Sequence, residues 1–166
     1  MILRVSAAFA ERFKCDLSHE GVKVPQERRL DAWSCHYVRI GRKPLVVVMN
    51  DASLYTFVIP ATGVKGFTDF WRRLLGQITE LWWRHGAEFD ADNQTVILLR
   101  RTDRSLIGSM NDAVKLIRFH DELARKSGEE LDLMEMERRS NATPYSSLGF
   151  NNPGRLMKQM LGEGEM

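Results

Sequence analysis

The chain is 166 residues long, 43% hydrophobic and 28% charged, with 24 Lys and Arg against 22 Asp and Glu for a net charge of +2. These proportions exclude disordered, collagen-like and disulfide-scaffold classes, and the length is enough to bury a core without metal or disulfide staples. With charge so nearly balanced, any nucleic-acid surface has to come from local clustering.

Met1 to Val5 sets Ile2, Leu3 and Val5 around Arg4 and reads as a short strand. Ser6 fits a helix N-cap ahead of Ala7, Ala8, Phe9, Ala10 and Phe13. From Asp16 to Leu30, the residues Ser18, Gly21, Pro25 and the run Glu27-Arg28-Arg29 read as a surface loop. Three strands follow, Trp33 to Ile40, Leu45 to Met49 and Leu54 to Ile59, joined by Gly41-Arg42-Lys43-Pro44 and Asn50-Asp51-Ala52-Ser53. Tight turns between short β-branched runs predict an antiparallel meander. Leu45 to Met49 has no polar alternation, so this strand is expected to be covered on both faces and to form the sheet centre.

Phe67 to His85 has the strongest helical periodicity, with Phe67, Phe70, Trp71, Leu74, Leu75, Ile78, Leu81 and Trp82 on one side. Thr68 or Asp69 is expected to cap its start, and Gly86 stands where a C′ glycine belongs. Trp83 falls off the apolar stripe beside Gly76 and Thr79. It could fold over the helix edge or serve as a docking surface. Gln94 to Arg101 then reads as a strand, its Thr95 to Leu99 core resembling a buried one, and Met110 to Lys126 reads as a helix stopped by Gly128. In the tail, Asp132 and Glu135 suit N-cap and N3 of a short helix ending near Asn141, and Asn152-Pro153 opens a last one. The last residues, Gly162 to Met166, are expected to fray. The fold class predicted is α+β: one domain, a largely antiparallel sheet of four to five strands packed by two main helices, and a helical tail over 141–166.

One stretch reads like a site, Arg104-Ser105-Leu106-Ile107-Gly108-Ser109-Met110-Asn111-Asp112. Passing from strand to helix, it would gather backbone N–H groups and a positive dipole end, with Arg100, Arg101 and Arg104 adding charge. A structural account makes Gly108 the turn residue, Ser109 the N-cap and Asp112 its capping-box partner. A functional account makes Arg104 a bidentate partner for phosphate or carboxylate, with Ser105, Asn111, Arg101 and Ser109 completing an anion site. The phosphate-loop and dinucleotide glycine patterns are both absent. His19, His36, His85 and His120 are scattered, and no ligand pair stands at zinc spacing, so neither a metal nor a cofactor is expected. Further basic residues, Arg118 with Arg72 and Arg73, could join Arg100, Arg101 and Arg104 on one phosphate-binding face.

The segments VVVMNDASLYTFVI, RTDRSLIGSMNDAV and SNATPYSSLGFNNPGRLMKQML resemble a family of small bacterial domains of unknown function, with an R-S-x-x-G-S-M-N-D block and an N-x-x-P tail. The resemblance spans nearly the whole chain and implies a bacterial domain, without giving the motif residues roles. The tail alone is similar to the end of some transposase integrase cores. Their chemistry needs three carboxylates on an RNase-H-like sheet, and the runs Val46 to Met49 and Thr95 to Leu99 carry none, so transposase activity is not expected.

The leading functional expectation is a non-catalytic binding or regulatory domain that recognises an anionic partner, nucleic acid included, around Arg104. A phosphoester-processing enzyme using Arg104, Ser105 and Asn111 with a histidine is the alternative. A structural or oligomerising role through Trp83 or the tail is a third. Cys15 and Cys35 lie in no CxxC, no apolar run approaches the ~20 residues of a membrane helix, and no secretory h-region follows Met1. A cytoplasmic protein without membrane partners is therefore expected.

Overall fold

The computed structural model describes residues 1–17 and 29–162. The expectations for the Ser18 to Arg28 loop, for His19 and for residues 163–166 lie outside them. The fold is α+β, with a five-stranded sheet in the order β4-β3-β2-β1-β5. Its strands are β1 (Ile2–Val5), β2 (Ala32–Ile40), β3 (Lys43–Asn50), β4 (Thr56–Pro60) and β5 (Ile97–Arg100). The helices are α1 (Ala7–Phe13), α2 (Phe67–Arg84), α3 (Arg104–Lys126), α4 (Leu133–Ala142) and α5 (Pro153–Gly162).

The predicted meander is present: β2, β3 and β4 pair antiparallel. The sheet as a whole is mixed, because β1 inserts between β2 and β5 and runs parallel to both. That insertion makes β2 the central strand in place of β3. β3 is nonetheless buried from Leu45 to Asn50, as its unbroken apolar run requires. β5 is a half-buried edge, so the apolar run there reflects one covered face and not two. The third strand starts at Thr56, two residues later than its sequence suggests. Leu54 is held in the left-handed region, φ 59°, with its N–H on the Asn50 carbonyl at 2.9 Å.

Alternating side chains divide the core between the two faces of the sheet. On one face Leu3, Val5, Trp33, Cys35, Val46 and Val48 meet α1, α2 and α5. On the other Val38, Ile40, Leu45, Val47, Met49 and Val58 meet α3 through Met110, Ala113, Val114 and Ile117, and α4 through Met136. The two main helices thus lie on opposite faces. At the start of α2 the N-cap is Gly66, without a side-chain cap. Asp69 instead accepts the Lys65 N–H at 3.2 Å, a bond one residue upstream of the cap. At its end His85 is the C-cap and Gly86 takes φ 72°, the left-handed geometry that glycine adopts without penalty.

Two buried asparagines hold the β3–β4 side together. Asn50 accepts from Ser53 N and Ser53 Oγ, each at 2.9 Å, and donates to the Ala32 carbonyl at 3.1 Å. Asn141 on α4 accepts from Thr56 N at 2.7 Å and donates to Thr56 O at 2.9 Å. One helical turn earlier, Glu137 Oε1 accepts from Val58 N at 2.7 Å. Two residues of strand span about 6.8 Å and one turn of helix about 5.4 Å, so side chains four apart on a helix reach alternate groups of a strand. α4 thereby covers the outer edge of β4. Glu137 has a carboxyl pushed up to about 7 by burial, with Glu80 adding to the rise, while the Val58 N–H and Arg84 oppose it.

Candidate functional site

The stretch singled out in the sequence lies at the start of α3, and the helix begins one and a half turns earlier than predicted. Its N-cap is Asp103, whose side chain accepts from Ser105 N at 2.8 Å and Leu106 N at 3.1 Å. Gly108 and Ser109 are therefore interior helical residues, not a turn and a cap. Asp112 is no capping-box partner; it pairs with Lys115 at 3.1 Å. The glycine suggested a break because glycine costs a helix interior about 1 kcal/mol. Here the cost is absorbed by a 23-residue helix whose Leu106 and Met110 extend the apolar stripe one turn toward the N-terminus.

This earlier start divides the predicted cluster into two parts. At roughly 100° per residue, Arg104, Gly108, Asn111, Lys115, Arg118, Glu122 and Arg125 share one stripe, and all are exposed. Ser105 and Ser109 turn a third of the way around the helix and face a cleft. Arg104, Ser105 and Asn111 consequently do not converge on one concavity. Arg101 stands behind the stripe, half-buried and donating to Met110 Sδ at 2.9 Å, and burial pulls its basicity down.

Along the stripe, Lys115 is paired with Asp112 and Arg125 Nε lies 2.9 Å from Asp121 Oδ2. Arg104 and Arg118 form no ion pair among the described residues. Neither does Arg39, which joins Arg118 and Arg125 around a depression of about 120 Å³. Arg72 and Arg73, expected on this face from the sequence, are on α2 across the sheet. Arg100 is parted from Arg101 by strand alternation: it pairs with Val5, whose side chain lies in the α2-side core.

The cleft, about 360 Å³, lies between β1, the turn after β3, the first turns of α3 and the short 3-10 turn Ser146–Leu148. Arg4 and Asp51 form an ion pair at its base, 2.5 Å apart, and Ser34 Oγ donates to the other Asp51 oxygen at 2.7 Å. Asp103, Ser105, Ser109 and Ser147 supply the polar walls; Leu54, Leu106 and Leu148 supply the apolar ones. Arg4, Asp51 and Ser147 were not legible as site residues. Asp103 was missed as well, although its signal was there: an Asp before an extended apolar stripe is as good a cap as Ser109.

The histidines lie elsewhere. His36 Nδ1 is 2.9 Å from Ser6 Oγ, and burial, reinforced by Arg101 and Arg118, lowers its pKa. Burial thus favours the neutral ring, whose Nδ1 can accept from a hydroxyl that also takes the Phe9 N–H as the α1 cap. His85 ends α2, and His120 Nδ1 meets Arg139 Nη1 at 3.4 Å. None of these lines the cleft beside Ser105. Trp83 is 77% exposed over a depression of about 530 Å³ with Gly76 and Thr79, so it does not fold back onto its helix. No group of His, Cys, Asp or Glu suited to a metal occurs among the described residues.

A family model for a domain of unknown function, DUF6933, matches residues 2–156. The chain belongs to that family. No curated protein matches it. The DUF6933 match covers the whole sheet and α1 through α4, so stripe and cleft both lie within the family domain.

Proposed function

We propose that this DUF6933 chain is a non-catalytic binding domain that recognises a polyanionic partner, with nucleic-acid backbone the chemistry that fits, along the exposed stripe of α3. The observation that carries this reading is the alignment of Arg104, Asn111 and Arg118 on one face, the two arginines without a carboxylate partner among the described residues. Arg104 and Arg118 are about 21 Å apart along the helix, a span suited to an extended phosphate backbone and too long for one small anion. Arg39 extends the positive face beside Arg118. Phe119, 56% exposed on the flank of the stripe, adds a ring on which an unpaired base can stack. Glu122 and the paired Asp112 temper the field, so the interaction is one of phosphate positioning and not of base reading. The reading suits a reducing bacterial cytoplasm, since Cys15 and Cys35 are both free thiols and Cys35 is fully buried.

Fluorescence anisotropy with a labelled single strand and a labelled duplex, across a salt series, tests the proposal. Binding to at least one should fall steeply with salt. Removing both guanidinium groups, by Arg104→Ala with Arg118→Ala, should lower the log–log slope by about 1 for each phosphate left without its arginine. Salt-independent binding, binding unchanged by both substitutions, or no binding to either at low salt overturns it.

A further inference from the structure

Four stretches of the chain meet at the cleft: Arg4 from β1, Asp51 and Leu54 from the turn after β3, Asp103, Ser105 and Ser109 from the start of α3, and Ser147 from the tail. At about 360 Å³ the cleft falls within the 300–1,000 Å³ range of small-molecule sites. Its charged groups are already engaged within the protein. Arg4 is neutralised by Asp51 at 2.5 Å, Asp51 is further held by Ser34 Oγ, and Asp103 Oδ1 takes two N–H groups of the α3 start. An anion entering here meets two carboxylates, and a cation meets Arg4 and the positive end of a long helix. What the cleft offers a ligand is hydrogen bonding: carboxylate oxygens that accept, a guanidinium that donates, hydroxyls that do either, and leucine walls for C–H surface.

We infer that this cleft binds a small neutral polyol of the monosaccharide or ribose class, with Asp51 and Asp103 accepting from its hydroxyls and Ser105, Ser109 and Ser147 completing the ring of partners. The site is separate from the α3 stripe, whose Arg104 and Asn111 point away from it, so either can fail without the other.

Isothermal titration of the full chain with ribose, glucose and myo-inositol, beside glycine, inorganic phosphate and a simple amine, tests this. At least one polyol should bind saturably with a millimolar or tighter Kd, and the charged probes should not. Ser147→Trp, on the exposed 3-10 turn, places a ring across the mouth and should weaken polyol binding by at least about tenfold, equivalent to 1.4 kcal/mol, with an unchanged circular dichroism spectrum. Asp103→Asn keeps an oxygen to cap α3 but loses the charge, and should weaken binding while the melting temperature moves little. Failure of every polyol, binding by a charged probe in their place, or polyol binding untouched by Ser147→Trp overturns the inference.

Discussion

Glu137→Gln tests the clasp of α4 on β4 most directly. The carboxyl accepts from Val58 N at 2.7 Å, and a Gln side-chain oxygen can accept the same bond, so the substitution keeps the bond and removes the charge. The pKa is raised from 4.5 to about 7, so folding binds a proton between those values. Stability from this group is therefore full below about pH 4.5, declines as pH rises through about 7, and is absent above it. At 1.36 kcal/mol per tenfold, the upper limit is about 3 kcal/mol; the partial exposure of the side chain reduces this to about 1–2 kcal/mol. Urea denaturation of wild type and variant at pH 5 and pH 8 provides the assay. His36 and His85, whose pKa values are lowered, contribute stability of the opposite pH sign, but both chains carry them and the difference between chains cancels them. The variant should be about 1–2 kcal/mol more stable than wild type at pH 8 and nearly equal at about pH 5. Parallel pH profiles, or a variant less stable at pH 8, would show that Glu137 is not buried as described. Tyr55, Arg84 and Glu80 face the same carboxyl, and Tyr55 is itself raised by burial and by Glu137, so its titration should move down in the variant.

Asp103→Ala should cost about 1 kcal/mol through loss of the α3 cap, while Ser109→Ala stays within about 0.5 kcal/mol; thermal melts that reverse the order would restore Ser109 as the cap. Asn50→Ala removes a hub that serves Ser53 and Ala32 from a fully buried position and should cost about 2–4 kcal/mol in chemical denaturation. Leu74→Ala, at a side chain with no exposure in the α2 core, should cost about 2–5 kcal/mol by the same measurement. Gly154→Ala sets a Cβ 3.0 Å from the Asn141 carbonyl oxygen and should cost about 1–3 kcal/mol, with faster hydrogen exchange at Thr56 if the strain passes to the clasp.

Periodicity made α2, α4, α5 and the β2–β4 meander legible, because each is decided by local side-chain alternation and by caps such as Asp132 and Asn152. The parallel placement of β1 was not, since four residues carry no sign of which strands they will lie between. Gly108 hid the first turn of α3, and with it the fact that Arg104 and Ser105 point different ways. The residues of the cleft were invisible for a related reason. Arg4 and Asp51 are 47 positions apart, and only sheet register brings them within bonding distance. A basic run in sequence likewise says nothing about the face it occupies: Arg100 and Arg101 are neighbours on opposite sides of a strand.

The two margins of the sheet are unlike. On β4, Asn141 and Glu137 take up the outward Thr56 N–H and carbonyl and the Val58 N–H, whereas no hydrogen bond among the described residues reaches the outer side of β5. Among the described residues, pairing with a further strand is thus obstructed along β4 and not along β5. Helix α4, in standing where a sixth strand would pair, keeps that margin of the sheet from being extended.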